Sequence, residues 1–298
     1  MINKNFVYDK VLPLVKEKSR HIDELLILSL FKNQDEEIIN ELKKYQNADG
    51  GFGHCLEPDV RMPDSSVLAT TRAVIVLHEV KEKRVKIKMI EDIVHYFESQ
   101  YDNDRKGFYM VSKEVNNYPR AVWWNYEDID KNFPFGNPDP EVIGFLYKYR
   151  KFLKKLNIST LVNSVVSFVL SEEFLESGFH SLISTLYFYK RVDDDIKNLI
   201  HDRLHALASK EIKAGMGHWN EYSLEPYKVY SVEPHFVNTH LEALALNLNL
   251  KLEQVKNLSI KPNWEWAQFE DVFEQVKHEW VGHLYFDILK AFRRQHII

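Results

Sequence analysis

Apolar residues recur along this chain in two alternating patterns. In the first they mark one stripe of a helix. Ile38, Leu42 and Tyr45 fall on one face of 36–46, with Glu37, Glu41 and Lys44 opposite. Ile90, Ile93, Val94, Phe97 and Tyr101 keep the i, i+3, i+4, i+7 spacing through 88–101. Ile196, Leu199, Ile200, Arg203 and Leu207 do the same through 196–208. A helix with one apolar stripe buries one face, so these are outer helices. In the second pattern the helix is apolar over most of its circumference, as in 67–77, 142–147, 182–187, 241–248 and 284–289. Such helices are buried on both sides. With 9–18 and 21–32 added, the pattern predicts an all-α chain of about six helical hairpins, outer and inner helices alternating, in one domain over 1–298. No β-rich segment interrupts it.

Link lengths add a direction. Inner-to-outer links are short (33–35, 81–87, 154–157, 191–195), and outer-to-inner links are mostly long (47–64, 102–138, 211–235, 259–269). In a ring of hairpins all links of one kind emerge on one face, and long loops carry function more often than short ones. The functional face is therefore expected where inner helices begin. Helix N-termini there favour anionic groups.

The first outer helix is closed by Gln46-Asn47-Ala48-Asp49-Gly50-Gly51-Phe52-Gly53. A glycine ends the helix in a left-handed cap, and the aromatic folds back onto the helix pair. Weaker copies stand at Gly107-Phe108, Gly178-Phe179, Gly215-Met216-Gly217-His218-Trp219 and Trp264-Glu265-Trp266. Self-similarity at about 40–70 residues is a repeat signature. The run Gln46 to Gly53 resembles the glutamine-aromatic repeat of the squalene–hopene cyclase and protein prenyltransferase superfamily. The stretch 46–73, with Glu57-Pro58-Asp59 and Pro63-Asp64-Ser65-Ser66, is similar to an uncharacterised bacterial branch of it. The resemblance implies an α/α toroid. It does not carry over the reactions. The Asp-x-Asp-Asp acid motif of class II cyclases is absent, Asp193-Asp194-Asp195 lying in a short inner-to-outer link. The Asp-x-Cys zinc pair of prenyltransferases is also absent, since Gly53 and His54 precede Cys55.

Composition narrows the classes. A net charge of −5 and a pI near 6.2 exclude the basic face of a nucleic-acid footprint. The single cysteine, Cys55, permits no intramolecular disulfide and fits a reducing compartment. The first residues lack the apolar stretch of a signal peptide, and the run at 25–31 is far short of a membrane span, so a cytoplasmic location is expected.

The loop from His54 to Asp64 is the densest polar stretch on the expected face, stiffened by Pro58 and Pro63. Glu57 and Asp59 are candidate general acids or bases, and Asp59 is preferred because Pro-Asp64-Ser-Ser reads as a helix N-cap. His240 near the start of an inner helix is a third candidate, by its suitability for proton transfer near neutrality. Arg61 and Arg120 either grip a phosphate or carboxylate or pair with Asp59 and Glu127. Trp123, Trp124, Trp264 and Trp266 either stack on a ligand or pack hairpins together. His54 and Cys55 with His218, His235 or His240 have no diagnostic zinc spacing, so no metal and no cofactor are expected. Three readings follow for a small-molecule ligand. One is an enzyme acting on a hydrophobic, isoprenoid-like substrate. Another is a hydrolase or lyase of small glycans. The third is a non-catalytic binding scaffold.

Overall fold

The computed structural model describes residues 2–128 and 135–298, so 129–134 of the expected 102–138 loop lie outside the described residues. The chain is all-α. A π turn at Val7–Val11 leads into α1 (Leu12–Lys18), followed by α2 (His21–Ser29), α3 (Asp35–Leu42), α4 (Val67–Glu79) and α5 (Lys83–Gln100). A two-stranded antiparallel ribbon, β1 (Tyr101–Asp102) with β2 (Gly107–Phe108), is the one sheet among the described residues. Then come α6 (Asp139–Lys148), α7 (Ile158–Leu170), α8 (Gly178–Tyr189), α9 (Asp194–Glu211), α10 (Pro226–Val232), α11 (Leu241–Lys256) and α12 (Glu270–Arg294). Among the described residues no helix is long and apolar enough to cross a membrane.

The contacts divide the chain into two compact units. One comprises residues 1–44, 76–85 and 212–298, the other 45–75 and 86–211. In the first, α12 packs on α1, α2, α10 and α11. Phe273, Val276, Tyr285, Phe286, Leu289 and Phe292 bury its apolar face. Gly282 lets α12 come close: a Cβ there would meet Asp23 Cβ at 2.7 Å and Ser19 Cβ at 2.8 Å. Ser19 Oγ donates to the His278 carbonyl at 2.7 Å and accepts from Gly282 N–H at 2.8 Å. In the second unit α8 packs on α6 and α9, and α7 packs on the same two helices. Phe97, Phe108 and Phe145 meet edge to face in its core.

The expected core positions Val74, Phe145, Leu186, Leu244 and Ile288 are all buried. Glu37 and Lys44 are exposed, and Glu91 and Lys197 are half-buried. Glu41, expected on the outside, is buried. It stands three residues after Ile38, on the shoulder of the apolar stripe, and its carboxylate takes the Lys44 ammonium at 2.5 Å. Leu199, expected in the stripe of α9, is exposed because the buried set is Ile200, Leu204, Leu207 and Ala208, one step round the helix. Leu241 and Leu246 are exposed for the same reason, since α11 buries Ala243, Leu244, Asn247, Leu248, Lys251 and Val255.

In the first glycine-aromatic turn the aromatic packs as expected, but the glycine does not cap the helix: Gly50 N–H closes a separate turn on the Asn47 carbonyl at 3.0 Å, beyond the end of the 3-10 turn at Tyr45. α3 ends at Leu42, a 3-10 turn carries Lys43–Tyr45, and Gly50 takes the left-handed φ of +88°. Phe52 is fully buried, bridging Gln46 on one side and Ser66 on the other. Its N–H donates to Thr70 Oγ1 at 3.0 Å. The later copies differ. Gly107 belongs to the β ribbon, whereas Gly178, with a left-handed φ of +77°, follows Ser177, the cap of the short helix Glu172–Glu176, and also opens α8.

Candidate functional site

The loop after the turn is held as a compact unit. Val60 N–H closes on the Glu57 carbonyl at 3.2 Å, and His54 N–H reaches the Pro63 carbonyl at 3.2 Å. Asp64 does not cap the next helix: it is exposed, and Ser66 Oγ accepts the Ala69 N–H at 3.0 Å instead. Val60 forms an antiparallel bridge with Arg120. Arg61 N–H donates to the Pro119 carbonyl and Ala121 N–H to the Asp59 carbonyl, each at 3.0 Å. Glu57, Asp59, Arg61, Arg120, Trp123 and Trp124 are therefore brought together within one unit.

Their roles are not all those expected. Arg120 is buried, and its Nη1 donates to the backbone carbonyls of Asn116 and Tyr118 at 3.1 and 3.0 Å. Burial holds its pKa below the ordinary value, with Glu127 pulling the other way. That guanidinium ties its own loop together. Arg61 is half-buried, its Nη1 at 3.5 Å from the Pro58 carbonyl. Trp124 is buried in the packing, whereas Trp123, one position earlier, is half-buried. His240, Trp264 and Trp266 belong to the other unit. Trp266 is buried and stacks on Phe273 at 5.4 Å, a packing position rather than a ligand wall. His240 is half-buried, with its Nδ1 2.9 Å from Thr239 Oγ1. Trp264 lies edge to face with Trp280 at 5.1 Å. His54 pairs with the Asn47 side chain at 2.9 Å, and no three His, Cys, Asp or Glu among the described residues are placed to hold a metal ion.

The chemistry of this unit joins the expected Glu57 and Asp59 to three residues the expectations passed over, Arg72, Glu141 and Arg191. Glu57, buried, is ion-paired with Arg72 Nε of α4. Burial works to lower the Arg72 pKa, but the Glu57 carboxylate outweighs it, with Glu141 and Asp59 adding to the rise. Asp59 is itself buried. Glu141, in the first turn of α6, lies near Arg191, whose Nη1 donates to the Glu141 carbonyl at 3.0 Å. The side-chain pair is loose, Nη2 to Oε1 being 4.0 Å. Glu141 Oε1 is buried with no hydrogen-bond partner among the described residues. Burial pushes the Glu141 carboxyl above its ordinary pKa, against the pull of Arg191 and Arg72. Three buried acids thus stand near two guanidiniums, Arg191 buried and Arg72 half-buried. Glu57 has the Arg72 guanidinium as its ion-pair partner, and Glu141 is held toward its protonated form by burial.

Comparison with family models, curated proteins and solved structures finds no match to this chain.

Proposed function

We propose that the chain is an enzyme doing general acid–base chemistry on a small, polar, hydroxyl-rich substrate, a glycan hydrolase or lyase, with Glu141 as proton donor. The observation that carries this is the unequal carboxyl set around Arg72. Acid and base roles are assigned where neighbouring titratable groups are pushed apart in pKa. Glu141 is pushed up, and Asp59, buried in the same unit, is the carboxylate that would serve as partner base. Trp123, half-buried beside the Asp59–Ala121 pairing, offers a ring face for a sugar. The isoprenoid reading has less support. Trp124 and Trp266 are spent in packing, which removes half of the aromatic wall it needs. The closure of the hairpins into an α/α toroid is likewise our proposal, supported by the formed Gly50–Phe52 turn and the alternation of helix types.

The test is a turnover screen on aryl glycosides and short oligosaccharides, with Glu141→Gln and Asp59→Asn beside the wild type. A general acid or base contributes about 10²–10⁴-fold, so each variant should lose at least two orders of magnitude in kcat on a substrate found. Activity that survives Glu141→Gln overturns the assignment. Turnover of a prenyl diphosphate in place of every glycan returns the reaction to the isoprenoid class.

A further inference from the structure

The unit made of residues 1–44, 76–85 and 212–298 holds a cavity of about 410 Å³, lined by α10, α11, α12 and the segment 259–265. That volume lies in the range of small-molecule sites. Its floor is built partly from buried polar groups. Glu225 accepts from the Lys251 ammonium at 2.7 Å and from Asn247 Nδ2 at 2.8 Å, and all three residues are buried. Asn247 Oδ1 in turn takes the Tyr227 N–H at 3.2 Å. Both contacts fall on the same oxygen, Glu225 Oε2. Glu265, the other acid of the lining, pairs with Lys277 at 3.2 Å.

Two lysines of the lining, Lys228 and Lys261, are left with no hydrogen bond or ion pair to their ammonium groups among the described residues. The Trp264 indole N–H, also in the lining, is buried without an acceptor among the described residues. A buried donor without a partner costs about 1–3 kcal/mol unless something supplies the acceptor. One buried donor without an acceptor, beside the half-buried Lys228 and the exposed Lys261 at the cavity's edge, describes a site for a ligand rich in acceptors. The cations are all lysines. A compact ammonium suits a phosphate as a point charge, whereas the planar carboxylate is matched best by the arginine fork. Trp219 and Trp264 line the same cavity, and with Asn220, Gln254 and Ser259 they add the stacking faces and hydroxyl partners that a sugar uses.

We propose that this cavity binds a phosphorylated, hydroxyl-bearing small molecule of sugar-phosphate size, its phosphate held by Lys228 and Lys261. Burial and the neighbouring Lys251 hold the Lys228 amine below its ordinary pKa, with Glu225 and Asp287 opposing. A dianion beside it restores the charged form. This inference is independent of the acid–base reading, which concerns the other unit.

Tryptophan fluorescence tests it directly, because two tryptophans line the site. The intact chain is titrated with glucose 6-phosphate and ribose 5-phosphate, with glucose as the neutral comparator. Saturable binding of at least one phosphate ester is expected, and glucose should bind at least about tenfold more weakly. Lys228→Met should weaken the ester by about tenfold or more, and Lys228→Arg should keep most of the affinity. Lys256→Met, on an exposed lysine of α11 outside the lining, should change nothing. Failure of both esters to bind, equal affinity for glucose, or equal affinity of the wild type and Lys228→Met overturns the proposal. If Lys228→Arg binds no better than Lys228→Met while both melt like wild type, the charge is not what holds the ligand and the proposal fails.

Discussion

Replacing Asp139 by Asn should make the protein more stable near neutral pH and leave it unchanged in acid. Asp139 opens α6 and is fully buried. Its Oδ1 accepts the Phe108 N–H at 2.8 Å. The approach is close enough that a Cβ on Gly107 would stand 2.3 Å from that oxygen. Burial pushes the carboxyl from 3.8 up to about 6, although the Phe108 N–H and the Arg105 charge both pull it down. The folded state therefore holds a proton that the unfolded chain releases near pH 4. Between those two values stability falls as pH rises, and above about pH 6 the deficit is complete. A gap of about two pH units is worth ~3 kcal/mol. Asp139→Asn keeps an acceptor for Phe108 and carries no charge to bury. Its NH₂ can lose part of the gain if it stays unpartnered, so a stabilisation of about 1–3 kcal/mol is expected at neutral pH. Urea denaturation followed by circular dichroism, run on both proteins across the acid range, measures it. The two curves should converge below about pH 4. A difference that stays constant with pH, or a variant that is less stable at neutral pH without convergence in acid, would refute the reasoning.

Two further outcomes follow from burial and hydrogen bonding. Phe52→Ala removes a fully buried ring and should cost about 3–5 kcal/mol in urea denaturation; an unchanged midpoint would show that the turn is not a staple. Glu98 behaves oppositely to Asp139: burial acts against its charged form, but the N–H groups of Lys155, Leu156 and Lys154 outweigh it and hold the pKa below 4.5. Its contribution is present above 4.5 and is lost as pH falls through the lower folded value, so Glu98→Gln should cost about 1–3 kcal/mol at neutral pH, with the gap to wild type closing in acid.

Much of the helical architecture was legible because hydrophobic period is a direct readout of burial. The stripe Ile90, Ile93, Val94, Phe97 located α5, and the all-round apolar runs located α4, α6 and α8. Errors came where a stripe has a shoulder, as at Glu41 and Leu199, since one helical step is 100° and the edge of a buried face is not marked by residue type. The site was read only by its loop. Glu57, Asp59, Arg61 and Arg120 stood out as polar residues among prolines, and the structure does bring them together. Arg72 and Glu141 were passed over, though each carries a signal: a charged residue inside a helix apolar over most of its circumference is at least partly drawn into the packing, half-buried for Arg72 and buried for Glu141. Lys228 carries no such mark. Its isolation from acceptors depends on Lys251 reaching Glu225 from another helix, which no local pattern encodes.

The bond between Ser19 and α12 has a bearing on how the chain is made. Ser19 and Gly282 are 263 positions apart, yet the hydroxyl of one meets the N–H of the other. The unit they close draws on 1–44, 76–85 and 212–298, whereas the other unit uses only 45–75 and 86–211. On a ribosome, every residue of the second unit has emerged before α12 has been translated. The first segment must therefore wait, with Ile22, Leu26 and Ile27 uncovered by their final partner, while most of the polypeptide is still being synthesised. Domains tend to fold in order of emergence, and uncovered apolar surface is where nascent chains aggregate. A chain truncated before α12 should thus leave its N-terminal helices as a chaperone substrate, even when residues 45–211 have already reached their native packing.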